Sequence, residues 1–275
     1  MPDLVIIIVS YNTRDCLDAC LRSLHAPAPG CSHTIVVVDN GSRDGSVARV
    51  RAAWPAVRVI DAGRNLGYAA ANNAAIRATD SELLLLLNSD TLVPPGAVDR
   101  LVTQLRVRPD VAAVGPRLMD ADGNVELSWG PPVTPWSEAW RKLQGALLAR
   151  RVPGLSAWIA GAAHRARHPA WLSGACLLVR RADAHAVGLL DERFFLYFED
   201  VDFCLALRRR GRRMRFVPEV TIIHHRGGSG AGEPAGTRTA YRRSQLAFYR
   251  KHHPAWVPLL RLYLRARRAL PSPLL

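Results

Sequence analysis

Three unbroken apolar runs constrain the fold of this 275-residue chain more than any other feature: LVIIIVS at 4–10, TIVVVDN at 34–40 and ELLLLLN at 82–88. A strand with one face in water alternates apolar and polar residues. A strand covered on both faces reads as a continuous run, as in parallel sheets with helices on each side. The intervening segments fit that arrangement. Leu17, Leu21 and Leu24 recur at helical spacing, a helix is expected from Asp44, VRVIDA at 57–62 reads as another strand, and an alanine-rich helix is expected around 68–78. The first 120 residues are therefore read as an α/β layer of nucleotide-binding type, its central, mostly parallel sheet flanked by helices.

Ligands of such sheets sit in the crevice beyond the carboxyl ends of the strands. The residues found there are Ser10, Tyr11 and Asn12; Asp39, Asn40, Gly41 and Ser42; Asp61 and Arg64; and Asn88, Ser89 and Asp90. VVVDNGSRDGS at 36–46 explains itself in part as a tight turn and a helix cap. A turn does not explain the acid at the strand end, where Asp39 is placed to accept a hydrogen bond from the N–H of a pyrimidine ring. Asp90 follows five leucines and an Asn-Ser turn. It is either a turn or capping aspartate or an oxygen ligand for a hard divalent cation, which commonly takes one or two carboxylates plus substrate phosphates. His224 and His225 follow another apolar run. Adjacent strand residues point to opposite faces, so one of the two at most is expected to reach the same edge.

The second half is less regular. Residues 128–170, from SWGPPVTPW onward, read as an insertion or mobile loop with a helix around 137–150. WLSGACLLVRR at 171–181 reads as a strand, and RFVPEVTIIHH at 215–225 as one or two. Between them, FFLYFEDVDFCLALRRRG sets Glu199, Asp200 and Asp202 among aromatic residues, with a helix expected from Asp200 to Arg210. Carboxylates in such a setting lose hydration unless they meet a cation, a donor or a proton. RGGSGAGEPAG at 226–236 has no helical pattern directly behind a strand and reads as a flexible lid, not a phosphate cradle.

Charge is unevenly placed. The formal net charge is +14, and no acid occurs from Arg238 to the end, where Arg242, Arg243, Arg250, Lys251, Arg261, Arg265, Arg267 and Arg268 accumulate. Trp256, Leu259, Leu260, Leu262, Tyr263 and Leu264 interleave with them in two expected basic helices, the pattern of an interfacial segment that meets an anionic membrane surface. A merely solvated, arginine-rich face is the plainer alternative. The five cysteines form no C-x-x-C pair, which argues against a disulfide framework or zinc ribbon. MPDLVIIIVSYN turns polar after one short run and reads as a first strand, not a targeting segment. No stretch reaches the roughly 18 apolar residues of a membrane span. A cytoplasmic setting is expected, with peripheral association on the inner face of the cell membrane. A non-catalytic basic module would leave the acids at the strand ends without purpose, and no nucleic-acid partner is expected.

VSYN, VVVDNGSRDGS, GRNLGYAAANN, LNSDT, WLSGACLLVRR, GLLDERFFLYFEDVDFCLALRRRG and HHRGGS occur in the order seen in family 2 inverting glycosyltransferases. The chain resembles most closely their bacterial rhamnosyltransferase-like branch. The resemblance implies a GT-A fold over residues 1–236. This domain would comprise a nucleotide-binding half at 1–120, the insertion at 128–170 and an acceptor and catalytic half at 171–230. The basic helical extension at 237–275 lies outside the motifs. It further implies that Ser10, Tyr11, Asn12, Asp39, Arg64, Asn65 and Asn88 line the nucleotide site. Asp90, with His224 or His225, would meet Mg²⁺ or Mn²⁺ at the donor diphosphate. Asp200 would act as general base, while Ser173, Gly174, Ala175, Glu199 and Asp202 would lie on the acceptor side. The donor implied is dTDP-rhamnose or a UDP-sugar, and the acceptor a glycan or a sugar on a polyprenyl pyrophosphate in surface polysaccharide synthesis. One departure stands out: many relatives carry Asp-x-Asp where this chain has Asn88-Ser89-Asp90. A sugar-nucleotide pyrophosphorylase, the nearest other enzyme class, would need a glycine-rich phosphate loop after the first strand, and VSYNTRD has none.

Overall fold

In the computed structural model, residues 2–138, 161, 165–225, 234–267 and 269 are described. The helix expected at 137–150 and the loop expected at 226–236 lie outside these residues except at their edges. The first half alternates as its apolar runs require: β1 (Leu4–Ser10), α1 (Arg14–His25), β2 (His33–Asp39), α2 (Ser46–Ala53), β3 (Arg58–Asp61), α3 (Tyr68–Arg77) and β4 (Leu83–Asn88). There follow β5 (Thr91–Leu92), α4 (Ala97–Arg106), β6 (Val111–Met119), β7 (Val125–Glu126) and β8 (Trp129–Gly130). The second half holds β9 (Trp171–Leu172), β10 (Cys176–Arg180), α5 (Arg181–Ala186), α6 (Glu199–Arg209), β11 (Arg213–His224), α7 (Pro234–His252) and α8 (Val257–Ala266).

The main sheet runs β3-β2-β1-β4-β10-β6-β11-β5, with β7 added beside β6. β3, β2, β1 and β4 are parallel neighbours. β10 then enters antiparallel between β4 and β6, while β11 returns parallel to β6. Burial on both faces accounts for the continuous runs. Val5, Ile7, Leu84 and Leu86 pack on one side with α3, α6 and the C-terminal helices. Leu4, Ile6, Ile8, Leu83, Leu85 and Leu87 pack on the other with α1 and α4.

β6 and α4 are elements that the apolar runs do not announce. VAAVGPRLM contains alanines, a glycine and a proline, all poor strand formers. The glycine answers to space: a Cβ on Gly115 would sit 3.2 Å from Leu172 Cδ2 and 3.4 Å from the Cys176 carbonyl. The basic C-terminal helices share the main core. Leu246, Phe248 and Tyr249 of α7 and Leu260 and Leu264 of α8 are buried in the same cluster as Phe194, Phe198 and Phe203. Among the described residues no helix is long and apolar enough to cross a membrane.

Candidate active site

The parallel strands end on one edge, and their polar residues build a continuous cradle. Ser10 is fully buried and its Oγ lies 2.9 Å from Thr13 Oγ1. Asn12 takes a left-handed conformation with φ 52, so that its amide donates to Ser42 Oγ at 2.9 Å and its Oδ1 accepts from Arg43 N at 2.8 Å. Asp39 Oδ2 accepts from the amides of Gly41 and Ser42 at 3.2 and 2.9 Å. Asp39 Oδ1 is buried and has no protein partner. An acceptor desolvated in this way is unfavourable unless a ligand donor completes it. Tyr11 stands half-buried beside this edge and Arg64 is exposed over it. The approach is close: a Cβ on Gly41 would fall 2.8 Å from Arg64 Cα. Asn65 Oδ1 accepts from Asn40 Nδ2 at 2.9 Å and from Gly67 N at 3.0 Å, which ties the GRNLG turn to the end of β2.

Across the sheet, Asp90 and His224 meet at the ends of β4 and β11. Asp90 Oδ1 is 3.3 Å from His224 Nε2, Asn88 Nδ2 is 3.2 Å from the same nitrogen, and Glu126 Oε2 is 3.0 Å from His224 Nδ1. Burial alone would lower the imidazole pKa, but hydrogen bonds to Asp90 and Glu126 and the charge of both outweigh it, raising it to about 9. His225 donates its amide to the Asp90 carbonyl at 2.8 Å while its side chain is exposed. The alternation of strand side chains thus brings His224 to the edge. The donor set suits a divalent cation. Two ligands with bonds of about 2.0–2.2 Å lie roughly 3 Å apart when adjacent on one ion, and a carboxylate on the far nitrogen is the usual support of a ligating histidine. Among the described residues no group of three or more His, Cys, Asp or Glu side chains could hold a metal. The remaining positions of a cation at Asp90 and His224 would therefore fall to phosphate or water oxygens.

The antiparallel β10 connects this edge to α6. Its leading turn, Ser173–Ala175, accepts Asn88 N on the Ala175 carbonyl at 3.0 Å and donates Gly174 N to Asp200 Oδ2 at 2.9 Å. Tyr68 OH donates to the Gly174 carbonyl at 2.7 Å, and a Cβ at Gly174 would meet Tyr68 Cε1 at 3.3 Å. Asp200 also accepts from Val201 N at 2.8 Å and is half-buried. The turn before α6 is strained: Tyr197 and Phe198 both have positive φ, 70 and 69. Neither is a glycine, and each such residue costs of order 1–3 kcal/mol that the surroundings must offset. Asn40, Asn88, Asp90, Glu126, His224 and Asp200 thus lie along one rim of the sheet.

The matched family model, Glycosyltransferase like family 2, spans residues 2–258 of this chain. The chain belongs to this glycosyltransferase family. The match continues past residue 236, where the motif resemblance stops. This glycosyltransferase is 32% identical over 302 residues to the N-acetylglucosaminyl-diphospho-decaprenol L-rhamnosyltransferase of Mycobacterium tuberculosis, covering 99% of this chain and 92% of that one. Its fold is GT-A. It superposes with a TM-score of 0.60 and 19% identity on a Pyrobaculum calidifontis mannosyltransferase in complex with GDP-Man and Mn²⁺, covering 94% of this chain and 68% of that one. For GalNAc-T7 with UDP, GalNAc and Mn²⁺ the TM-score is 0.62 at 17% identity, with 90% and 48% covered.

One acid of the glycosyltransferase departs from the sequence expectation. Asp202, expected on the acceptor side, faces the opposite way. Its carboxylate takes Lys251 Nζ at 2.8 Å and His252 Nε2 at 2.6 Å from α7, because a position two residues beyond Asp200 lies on another side of the helix. Glu199 stays next to Asp200 but is 5% exposed, with Oε2 lacking any partner. Burial first, and the neighbouring Asp200 second, raise its pKa well above the ordinary glutamate value. Glu126 and Tyr68 are site residues that sequence reasoning missed. Glu126 lies in a short strand just ahead of the irregular region. Tyr68 sits inside the GRNLGYAAANN motif, where only its position at the start of α3 signals the role.

A Glu199 that keeps its proton in the folded chain releases it near pH 4.5 when unfolded. The native state then binds more protons, and stability falls as pH rises above 4.5 until the folded group ionises, at up to about 1.4 kcal/mol per pH unit. Glu199→Gln removes this loss. Urea unfolding across a pH series is expected to show the variant gaining on wild type from pH 5 to pH 8; a difference that stays constant would show that Glu199 is ionised in the native state.

Proposed function

We propose that this glycosyltransferase moves rhamnose, with inversion, from dTDP-rhamnose to a hydroxyl of a sugar carried on a polyprenyl diphosphate. Use of a UDP-sugar is the alternative within the same chemistry. The observation that carries the reading is the turn Ser173–Ala175, which fixes Asp200 and Asn88 in one frame through contacts of 2.9 and 3.0 Å. Near full-length likeness to a decaprenol-linked L-rhamnosyltransferase supports the donor and the acceptor class.

The base of the donor would lie against Ser10, Tyr11 and Asn12, its ring N–H donating to the unpartnered Asp39 Oδ1. Arg64 and Asn65 would flank the ribose, and Asn88 would underlie the diphosphate. Asp90 and His224 would hold Mg²⁺ or Mn²⁺, with Glu126 fixing the imidazole. Mn²⁺ in both structural neighbours supports a divalent ion. Such an ion would supply charge stabilisation to the departing nucleoside diphosphate. Asp200 would take the proton of the acceptor hydroxyl as its oxygen attacks the anomeric carbon from the face opposite the leaving group. General base catalysis of this kind contributes roughly 10²- to 10⁴-fold. Gly174 N would hold the carboxylate's other oxygen. Ser173, Gly174, Ala175 and Glu199 would border the acceptor.

A lipid-linked acceptor implies work at a membrane surface, and α8 supports it. Leu260 and Leu264 point into the core, whereas Leu259, Leu262 and Tyr263 are 58%, 65% and 41% exposed beside the exposed Arg261, Arg265 and Arg267. Trp136, 74% exposed, packs edge-on against Trp256 at the same end. Apolar side chains interleaved with arginines suit an anionic leaflet, where each cation contributes about 1 kcal/mol. The enzyme would dock peripherally on the inner face of the cell membrane.

Turnover of labelled dTDP-rhamnose and a UDP-sugar panel, with and without Mg²⁺ or Mn²⁺, tests the donor; turnover of UDP-sugars alone overturns the rhamnosyl reading. Asp200→Asn is expected to lower transfer at least about 10²-fold while dTDP still stabilises the protein in thermal-shift measurements. Loss of both together would count against Asp200 as base. Glu126→Ala is expected to weaken Mn²⁺ binding about 10- to 100-fold in a titration with dTDP present; unchanged affinity would remove Glu126 from this role. The double variant Leu259→Ser and Leu262→Ser is expected to lose co-sedimentation with phosphatidylglycerol vesicles. Retained binding would place the lipid contact elsewhere.

A further inference from the structure

The strained turn before α6 needs something to hold it; Tyr68 N of α3 donates to the Phe195 carbonyl at 2.7 Å, and further contacts come from α7. Ser244 Oγ donates to the Leu196 carbonyl at 2.8 Å, and Ser244 is itself buried. The Tyr241 ring packs on Tyr197 at 5.7 Å and on Phe198 at 5.4 Å, and Phe248 packs on Phe198 at 5.2 Å. One turn further on, Lys251 Nζ bridges Asp191 Oδ2 at 2.6 Å and Asp202 Oδ2 at 2.8 Å. His252 Nε2 takes the other Asp202 oxygen at 2.6 Å, and its Nδ1 lies 3.0 Å from Arg209 Nη2. Lys251 thus closes the segment 191–202 at both ends, and the two positive-φ residues and Asp200 lie inside that closure. A pair of consecutive aromatic residues in the left-handed region persists only where the surroundings over-determine it.

We propose that α7 is a positioning element for the catalytic base, with Ser244, Lys251 and His252 as positioning residues that act through the 195–200 turn and Asp202. Asp200 is then aimed from two sides: Gly174 N fixes its oxygen at 2.9 Å, and α7 fixes the backbone that carries it. The helix continues through the turn at 254–256 into α8, so the surface assigned to lipid and the support of the base are one unit of chain. This inference rests on Asp200 being the base, as proposed above.

Lys251→Met keeps the stem of the side chain and removes the charge that joins Asp191 to Asp202. With dTDP-rhamnose and N-acetylglucosaminyl-diphospho-decaprenol, kcat is expected to fall about 10- to 100-fold while the donor KM stays within about twofold. Lys251→Arg, which retains charge and donors, is expected to restore most of kcat. Ser244→Ala is expected to lower kcat in the same sense, with the fold checked by thermal unfolding in every case. Full kcat in Lys251→Met below its melting temperature, even with a lowered Tm, overturns the proposal, because α7 would then only stabilise the fold. A rise in donor KM as large as the fall in kcat overturns it too. Asp200→Asn in the same assay separates the two ideas: inactive Asp200→Asn with fully active Lys251→Met removes the clamp alone, whereas active Asp200→Asn removes the base and the clamp with it.

Discussion

The antiparallel pairing of β10 with β4 is the constraint on which the rest of the site depends. Cys176 lies opposite Leu87 and Leu178 opposite Leu85, so the strand's first residue meets the carboxyl end of β4. The turn ahead of it therefore has no freedom: the Ala175 carbonyl must receive Asn88 N, and Gly174 is left with its amide facing α6. A one-residue slip would reverse every side chain of β10, exchanging the faces of Leu177 and Leu178, which are both fully buried in opposite cores. The hydrophobic pattern thus specifies the register, and the register specifies how far the Asn88 edge lies from Asp200.

Electrostatics along the rim follow from the same geometry. Asp39 receives two backbone amides on one carboxylate oxygen. Asp90 and Glu126 share His224, and Asp202 shares Lys251 and His252. Asp200 has amides from Gly174 and Val201. Glu199 is also buried with an oxygen that nothing meets, and burial holds its pKa well above the ordinary glutamate value. A raised Glu199 pKa lessens like-charge repulsion with Asp200 at the start of α6, where a carboxylate is favoured by the helix dipole.

What the sequence makes legible is whatever a local pattern can encode. The runs at 4–10, 34–40 and 82–88 became β1, β2 and β4 because burial on both faces leaves no other reading, and the polar residues closing them reached one edge because parallel strands end together. β6 was hidden because its alanines, Gly115 and Pro116 carry no strand signal, and Gly115 answers to tight packing against Leu172, a requirement set by residues far along the chain. Glu126 was hidden for a similar reason: its partner, His224, is 98 residues away, and no spacing rule links them. Asp202 was misplaced because a sequence window shows that three acids are close together but not which side of a helix each occupies. The pair His224 and His225 shows the converse, since strand alternation required that only one reach the site and long-range pairing selected it.

The basic C-terminus divides along the same line between local pattern and long-range contact. Read as composition, its arginines and lysine form one charged segment. In the fold they separate by direction: Lys251 and His252 turn inward on buried Asp202, while Arg261, Arg265 and Arg267 turn outward beside exposed leucines. The inward pair is the more consequential for the fold, since removing either partner takes a donor from a buried carboxylate. The outward group interacts only weakly with the rest of the protein and is free to answer to a surface. Removal of residues 250–275 would therefore not isolate a membrane anchor. It would also take Lys251 and His252 from Asp202, and Leu260 and Leu264 from the core that α6 shares.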